Sequence, residues 1–191
     1  MDVDLFERTL QNAGKVVHNT RPEQLGDATP CTNWDVRALL NHMVAGCAAI
    51  AAGAKGEKFD LYGGEDHMGD DYIAAFDSAA AGAVEAFRAP GAAEATFTMP
   101  WGDTPAPVTF GLGLADGVVH GWDLAQATGQ QVEIEDEAAE TVYQMVTSML
   151  EPEGEWPRGD QFGEPIAVPD EAPTADRLLG YLGRDPQRSS A

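Results

Sequence analysis

The chain has 191 residues, 43% hydrophobic content and a formal net charge of −21, from 32 acidic and 11 basic residues. That length buries a sizeable core in a single domain, and that charge opposes binding to nucleic acid or an anionic membrane by repulsion. Cys31 and Cys47 are too few for a disulfide framework. No run approaches the ~18 apolar residues of a transmembrane span, and MDVDLFERTLQNAG lacks the basic-then-apolar pattern of a secretory leader, so a cytoplasmic location is expected.

Residues 2–18 place Val3, Leu5, Phe6, Leu10, Ala13, Val16 and Val17 mostly on one stripe, the pattern of an amphipathic helix. After the loop HNTRPEQLGDATPCTN, Thr32 with Asp35 three positions on resembles an N-capping box. A helix is then predicted over about 34–52, through Trp34, Val36, Leu39, Leu40, Met43, Val44 and Cys47, with Cys47 packing as a small apolar side chain. A Gly-rich acidic connector covers 53–71, and an alanine-rich helix follows over 71–88. In residues 95–110, ATFTMP and PVTF are short β-prone runs around the turn-like WGDTPA, which predicts a small hairpin or an extended excursion. The next helix covers 110–128, with Gly129 placed to stop it, and another covers 136–150. The Pro-, Gly- and acid-rich stretch 151–173 is expected to be irregular, and TADRLLGYLGR to form a short last helix. The expected fold class is all-α: one domain over 1–191, a four-helix bundle with a long crossover, a small β-hairpin-like insertion and an extra C-terminal helix.

The run LADGVVHGWDLAQATG puts Asp116, His120 and Asp123 four and then three residues apart, on one helical face. Carboxylate and imidazole are both ordinary zinc ligands, and a pair one turn apart can close on one ion. NWDVRALLNHMVAG supplies a third candidate ligand, His42. Three ligands from two helices leave one coordination position open, as catalytic metal sites do. Apolar neighbours around both histidines imply burial, and a buried carboxylate needs a compensating charge. A hydrogen-bonded core histidine satisfies the same burial rule, so spacing alone leaves both readings open. Asp123 is the candidate catalytic residue, as proton acceptor or as the group that orients the imidazole; a capping or solvent-facing carboxylate is the alternative. Trp34 and Trp122 either wall a pocket or pack in the core, Trp101 is a weaker lid candidate, and His18 and His67 are expected to be exposed.

The blocks TPCTNWDVRALLNHMVAG, HGWDLAQATG and TADRLLGYLGRDP resemble the DinB-like metal-binding superfamily. The branch they resemble is the actinobacterial one related to the N-terminal domain of mycothiol-dependent maleylpyruvate isomerase. The resemblance spans nearly the whole chain. It implies a four-helix bundle binding a divalent metal, usually zinc, through His42, Asp116 and His120. Two departures stand out: this chain has no room for the isomerase's second domain, and it carries Asp116 where the isomerase has the longer glutamate.

The resemblance implies a thiol-dependent transferase or isomerase acting on small electrophiles, with zinc and a low-molecular-weight thiol such as mycothiol as cofactors. A zinc-bound thiol is deprotonated at neutral pH, so no protein nucleophile is required. Neither cysteine lies in an activating motif, and no serine sits in a G-x-S-x-G context. A metal-dependent hydrolase and a non-catalytic metal- or ligand-binding protein remain as alternatives. The expected partners are a small-molecule thiol or electrophile, with a homodimer allowed and neither nucleic acid nor membrane.

Overall fold

Three of the long helices begin on an aspartate that accepts a hydrogen bond from the backbone N–H three residues on. A computed structural model describes residues 1–150 and 162–187. Asp2 caps α1 (Val3–Asn19) through Leu5 N at 3.0 Å, Asp35 caps α2 (Val36–Gly53) through Ala38 N at 2.8 Å, and Asp71 caps α3 (Tyr72–Arg88) through Ala74 N at 3.0 Å. Each carboxylate satisfies a backbone donor that the first helical turn leaves unpaired, and its charge opposes the helix dipole. The capping-box reading of Thr32 is corrected: Asp35 is itself the cap, and Thr32 lies exposed in the preceding turn.

The excursion after α3 is an antiparallel hairpin, β1 (Thr96–Met99) against β2 (Gly102–Pro105), with Phe97 opposite Thr104 and Met99 opposite Gly102. The next helix, α4 (Ala106–Thr128), starts directly after β2, four residues earlier than the pattern suggested, so PVTF is helical rather than β. Pro107 falls in the first turn, where its missing N–H costs nothing, and Ala106 N–H is already used by Ala95 O at 2.9 Å. Gly129 closes α4 in the left-handed conformation, φ 68°. Two more helices follow, α5 (Asp136–Leu150) and α6 (Thr174–Tyr181). Of the expected irregular stretch, residues 151–161 lie outside the described residues, and 162–173 have no helix or strand.

α1 and α2 each pack against both α3 and α4, so they face each other across a four-helix bundle. Residues 20–35 make the crossover between them. α5 lies against α4 and α1, and α6 lies on α5. α2 is long and apolar enough by composition to cross a bilayer, but here that apolarity is buried between α3, α4 and β1. Along α4, Gly113, Gly117 and Gly121 form a ladder facing α1. A Cβ on each would sit 3.2 Å from the Phe6 ring, 3.1 Å from Thr9 and 3.2 Å from Ala13, and at Gly113 also 2.8 Å from Ile50 of α2. The ladder lets α4 approach α1 closely while its neighbouring face presents Asp116 and His120. At one end of the bundle Phe6, Phe87, Phe97 and Phe110 pack with ring centroids 5.2–5.6 Å apart. Each ring in such a cluster stabilises the fold by about 1.5–3 kcal/mol. Phe97 thereby fixes the hairpin to the bundle.

Candidate metal centre

α2 and α4 bring His42, Asp116 and His120 to one point. His42 Nε2 lies 3.4 Å from Asp116 Oδ2, and His120 Nε2 lies 3.5 Å from Asp116 Oδ1. The imidazoles meet edge to face, with centroids 5.0 Å apart at 87°. One turn after His42, Gly46 makes room for the carboxylate: a Cβ there would sit 3.1 Å from Asp116 Oδ2. Trp34, just before α2, lies over the His42 ring at 4.6 Å and 35°, and its centroid is 5.8 Å from His120. Trp34 therefore walls this pocket, whereas Trp122 is buried in the core.

The donor separations test the fit of an ion. Both exceed the usual ~2.7–3.2 Å range of a protein hydrogen bond. Ligands tetrahedrally arranged at zinc bond lengths are about 3.3–3.4 Å apart. One donor atom from each of the three residues can be chosen so that all lie within 4.8 Å of one another. The Asp116 side chain is 44% exposed against 18% for His42 and 12% for His120, so the carboxylate is crowded by protein on one side and open on the other. Burial pushes the Asp116 carboxyl up, but attraction to His42, and less to His120, outweighs it and holds the group below its ordinary value. Burial also pushes His42 down, and Asp116 overcomes it, so the imidazole sits above its ordinary value. Two imidazoles and one carboxylate, with no lysine or arginine paired to them among the described residues, are donors that suit a divalent cation.

Behind His120 lies a second, closed cluster. His120 Nδ1 is 3.1 Å from Asp123 Oδ2. Asp123 is 0% exposed, and Arg184 grips it in a fork, Nε to Oδ1 at 3.2 Å and Nη2 to Oδ2 at 2.9 Å. The Cys31 thiol donates to Asp123 Oδ2 at 3.1 Å and accepts from Arg184 Nη2 at 3.3 Å. The remaining Arg184 nitrogen donates to Leu182 O at 3.0 Å. Local turns deliver both outer residues. Thr29 Oγ1 bonds Cys31 O and Trp34 O, shaping the loop that presents both side chains. Gly183, at φ 80°, ends α6 with Gly183 N→Gly180 O and Arg184 N→Leu179 O bonds, turning Arg184 back into the protein. Burial pushes Asp123 up, but the His120 bond and the Arg184 charge hold it at about 2.

Cys31, His120 and Asp123 also lie close enough to share an ion. That set fits a metal poorly. Arg184 already supplies the positive charge, and the donor atoms are taken up within the cluster, Cys31 Sγ and Asp123 Oδ2 by each other and both by Arg184 Nη2. Asp123, expected as proton acceptor or orienting group, has no exposed surface from which to reach a substrate proton. Its contact with the imidazole is through Oδ2, 3.1 Å from His120 Nδ1. Cys47 is buried and pushed up to about 12 by burial and then by Asp116.

Of the other sequence candidates, His18 is exposed and pairs with Asp77 at 2.9 Å. His67 is half-buried rather than exposed, because the connector folds back onto α2: its ring lies 5.0 Å from the Phe59 ring, and its backbone N–H donates to Asn41 Oδ1 at 2.7 Å. Trp101 is exposed in the hairpin turn, its indole N–H donating to Thr104 Oγ1 at 3.0 Å. Arg184 and the Cys31 contact went unread in the sequence. The one physical signal was a buried aspartate on α4 that requires a cationic partner.

A helical bundle with a half-open His–Asp–His pocket between two of its helices is thus the class of protein that fold and site define. The chain belongs to the mycothiol maleylpyruvate isomerase N-terminal domain family, which matches residues 7–125. That span holds His42, Asp116, His120 and Asp123 but not Arg184. The chain is 35% identical over 185 residues to uncharacterized proteins from two strains of Mycobacterium tuberculosis, covering 96% of this chain and 98% of each relative. The crystal structure of the mycothiol-dependent maleylpyruvate isomerase has a similar fold, with a TM-score of 0.54 at 14% identity. The match covers 76% of this chain and 66% of that one.

Proposed function

We propose that the protein binds a divalent cation, zinc by its donor set, through His42, Asp116 and His120, and uses it for thiol-dependent transfer or isomerisation of small electrophiles. The observation that carries this reading is the donor triangle itself: separations of 3.4 and 3.5 Å, too long for good hydrogen bonds, with the Asp116 side chain 44% exposed. Family membership supports the thiol, a low-molecular-weight one such as mycothiol. When bound, the ion supplies Lewis acidity that makes a coordinated thiol or water a nucleophile near neutral pH. The chain's own residues bind and orient. His42 and Asp116 hold one side, Trp34 covers the rings and excludes water, and Asp123 keeps the His120 ring in place. Two free cysteines fit a reducing, cytoplasmic setting.

The test begins with stoichiometric zinc uptake and a chelator-sensitive melting temperature, both lost in His120→Ala. A ligand held only by the folded state raises stability by about 4 kcal/mol when present at 1,000 times its Kd. Metal-loaded protein is then incubated with mycothiol and a maleylpyruvate-like or halogenated electrophile. Thiol-dependent turnover that His120→Ala abolishes is the expected result. Hydrolysis that proceeds without thiol assigns the site to a hydrolase. Zinc uptake without turnover of any electrophile leaves a metal-binding protein.

A further inference from the structure

Each of the three sequence blocks contributes one residue to the closed cluster: Cys31 before α2, Asp123 on α4 and Arg184 after α6. We propose that Arg184 is a positioning residue for the metal centre, and that docking of the C-terminal segment and ion binding are coupled through it. The proposal rests on the metal reading above. Its physical basis is the hydrogen-bond network around one carboxylate. Asp123 Oδ2 faces three groups: Arg184 Nη2 at 2.9 Å, Cys31 Sγ at 3.1 Å and His120 Nδ1 at 3.1 Å. The Arg184 fork, closed by Nε on Oδ1 at 3.2 Å, leaves the carboxylate one orientation, with Oδ2 turned to the imidazole.

An ionised carboxylate accepts hydrogen bonds and donates none. His120 Nδ1 therefore carries a proton, and in the neutral imidazole the lone pair is then on Nε2, the atom 3.5 Å from Asp116 Oδ1. The network selects the tautomer whose free nitrogen faces the open pocket, which is how a carboxylate prepares a metal-binding histidine. Arg184 is what makes that carboxylate possible at zero exposure. It comes from 61 residues further along the chain, while the helix that delivers it packs on α5. Without the fork, Asp123 has no fixed rotation, and the His120 ring loses the contact that sets its tautomer. The coupling is reciprocal. An ion on Nε2 makes Nδ1–H a better donor, which strengthens the Asp123 network and with it the Arg184 dock.

A buried ion pair serving only stability would lower the melting temperature of its variants and change nothing at the His120 ring. Two readouts separate the cases: long-range proton–nitrogen NMR of the imidazoles in the metal-free protein, and zinc affinity by competition with a chelator dye. The variants are Arg184→Met and Arg184→Lys, the second keeping the charge without the fork. Wild type is expected to hold His120 as a single Nδ1–H tautomer. Both variants are expected to show mixed tautomers and zinc binding weakened by about 10–100-fold, with Lys the milder. In wild type, zinc should also slow proteolytic cleavage of the C-terminal segment. Folded variants with the wild-type tautomer or wild-type zinc affinity overturn the proposal. If Arg184→Met does not fold, Arg184→Lys decides. If wild type takes up no zinc, the metal reading falls, and the tautomer in the metal-free protein alone decides whether Arg184 positions the ring.

Discussion

His120 stands between two carboxylates with opposite surroundings. Asp116, on its Nε2 side, is 44% exposed and faces two imidazoles. Asp123, on its Nδ1 side, is 0% exposed and faces a guanidinium and a thiol. Both sit on α4, a turn either side of the same histidine, and both are held below the ordinary carboxylate range. What differs is the source of compensation. The protein supplies the cation for Asp123 within its own chain, and leaves Asp116 accessible to one from solution. A charge compensated internally belongs to the fold, and a charge left accessible belongs to binding.

The sharpest way to break this comparison is to truncate each carboxylate in turn. Asp123→Ala strands Arg184 as an unpaired buried charge, and should cost about 3–5 kcal/mol in urea unfolding of the metal-free protein. Asp116→Asn, measured the same way, should change stability by well under that amount, and should show its effect in lost zinc uptake. Equal destabilisation by the two would erase the distinction drawn here.

Acid titration sharpens it next. Asp123 is lowered to about 2 from an ordinary 3.8. Its contribution is therefore fully present above about pH 4 and is lost as pH falls toward 2, because the unfolded chain binds the proton first. The loss should be about 2 kcal/mol, at 1.36 kcal/mol per unit. Comparing the acid limb of the wild-type stability curve with that of Asp123→Asn measures it, and identical limbs would contradict the assignment.

The smallest effect is expected at Gly46. Replacing a helical glycine by alanine favours the helix by up to ~1 kcal/mol. The added Cβ, however, would sit 3.1 Å from Asp116 Oδ2 and displace it by a few tenths of an ångström. Gly46→Ala should therefore leave the metal-free protein as stable or slightly more so, while zinc binding weakens severalfold in chelator competition. A gain in both would mean the carboxylate has slack.

The two sides of His120 also differ in how far they could be read in the sequence. Residues one helical turn apart face the same way on any α-helix, so Asp116 with His120 needed only the run LADGVVHGWD. Apolar periodicity likewise shows which stripe α1, α2 and α3 each bury, because that is a local property of the chain, whereas the aspartate caps were not read: the α2 cap was placed at Thr32 and is Asp35. The start of α4 was less legible: PVTF has β propensity, and the hairpin and Pro107 placed the helix start together. That His42 would reach the same point depended on how α2 and α4 lie against each other, which the glycines of both helices permit but no spacing within one helix dictates. The Arg184 fork was invisible for the same reason at longer range. Its partner lies 61 residues away, and Arg184 reaches Asp123 only once α6 has packed on α5 and Gly183 has turned the chain inward. The sequence by itself determined the helices and the pair of donors on α4, since each rests on contacts within a few residues. The tertiary structure alone decided that one carboxylate is sealed by arginine and the other left open, because burial and charge compensation are set by elements far apart in the chain.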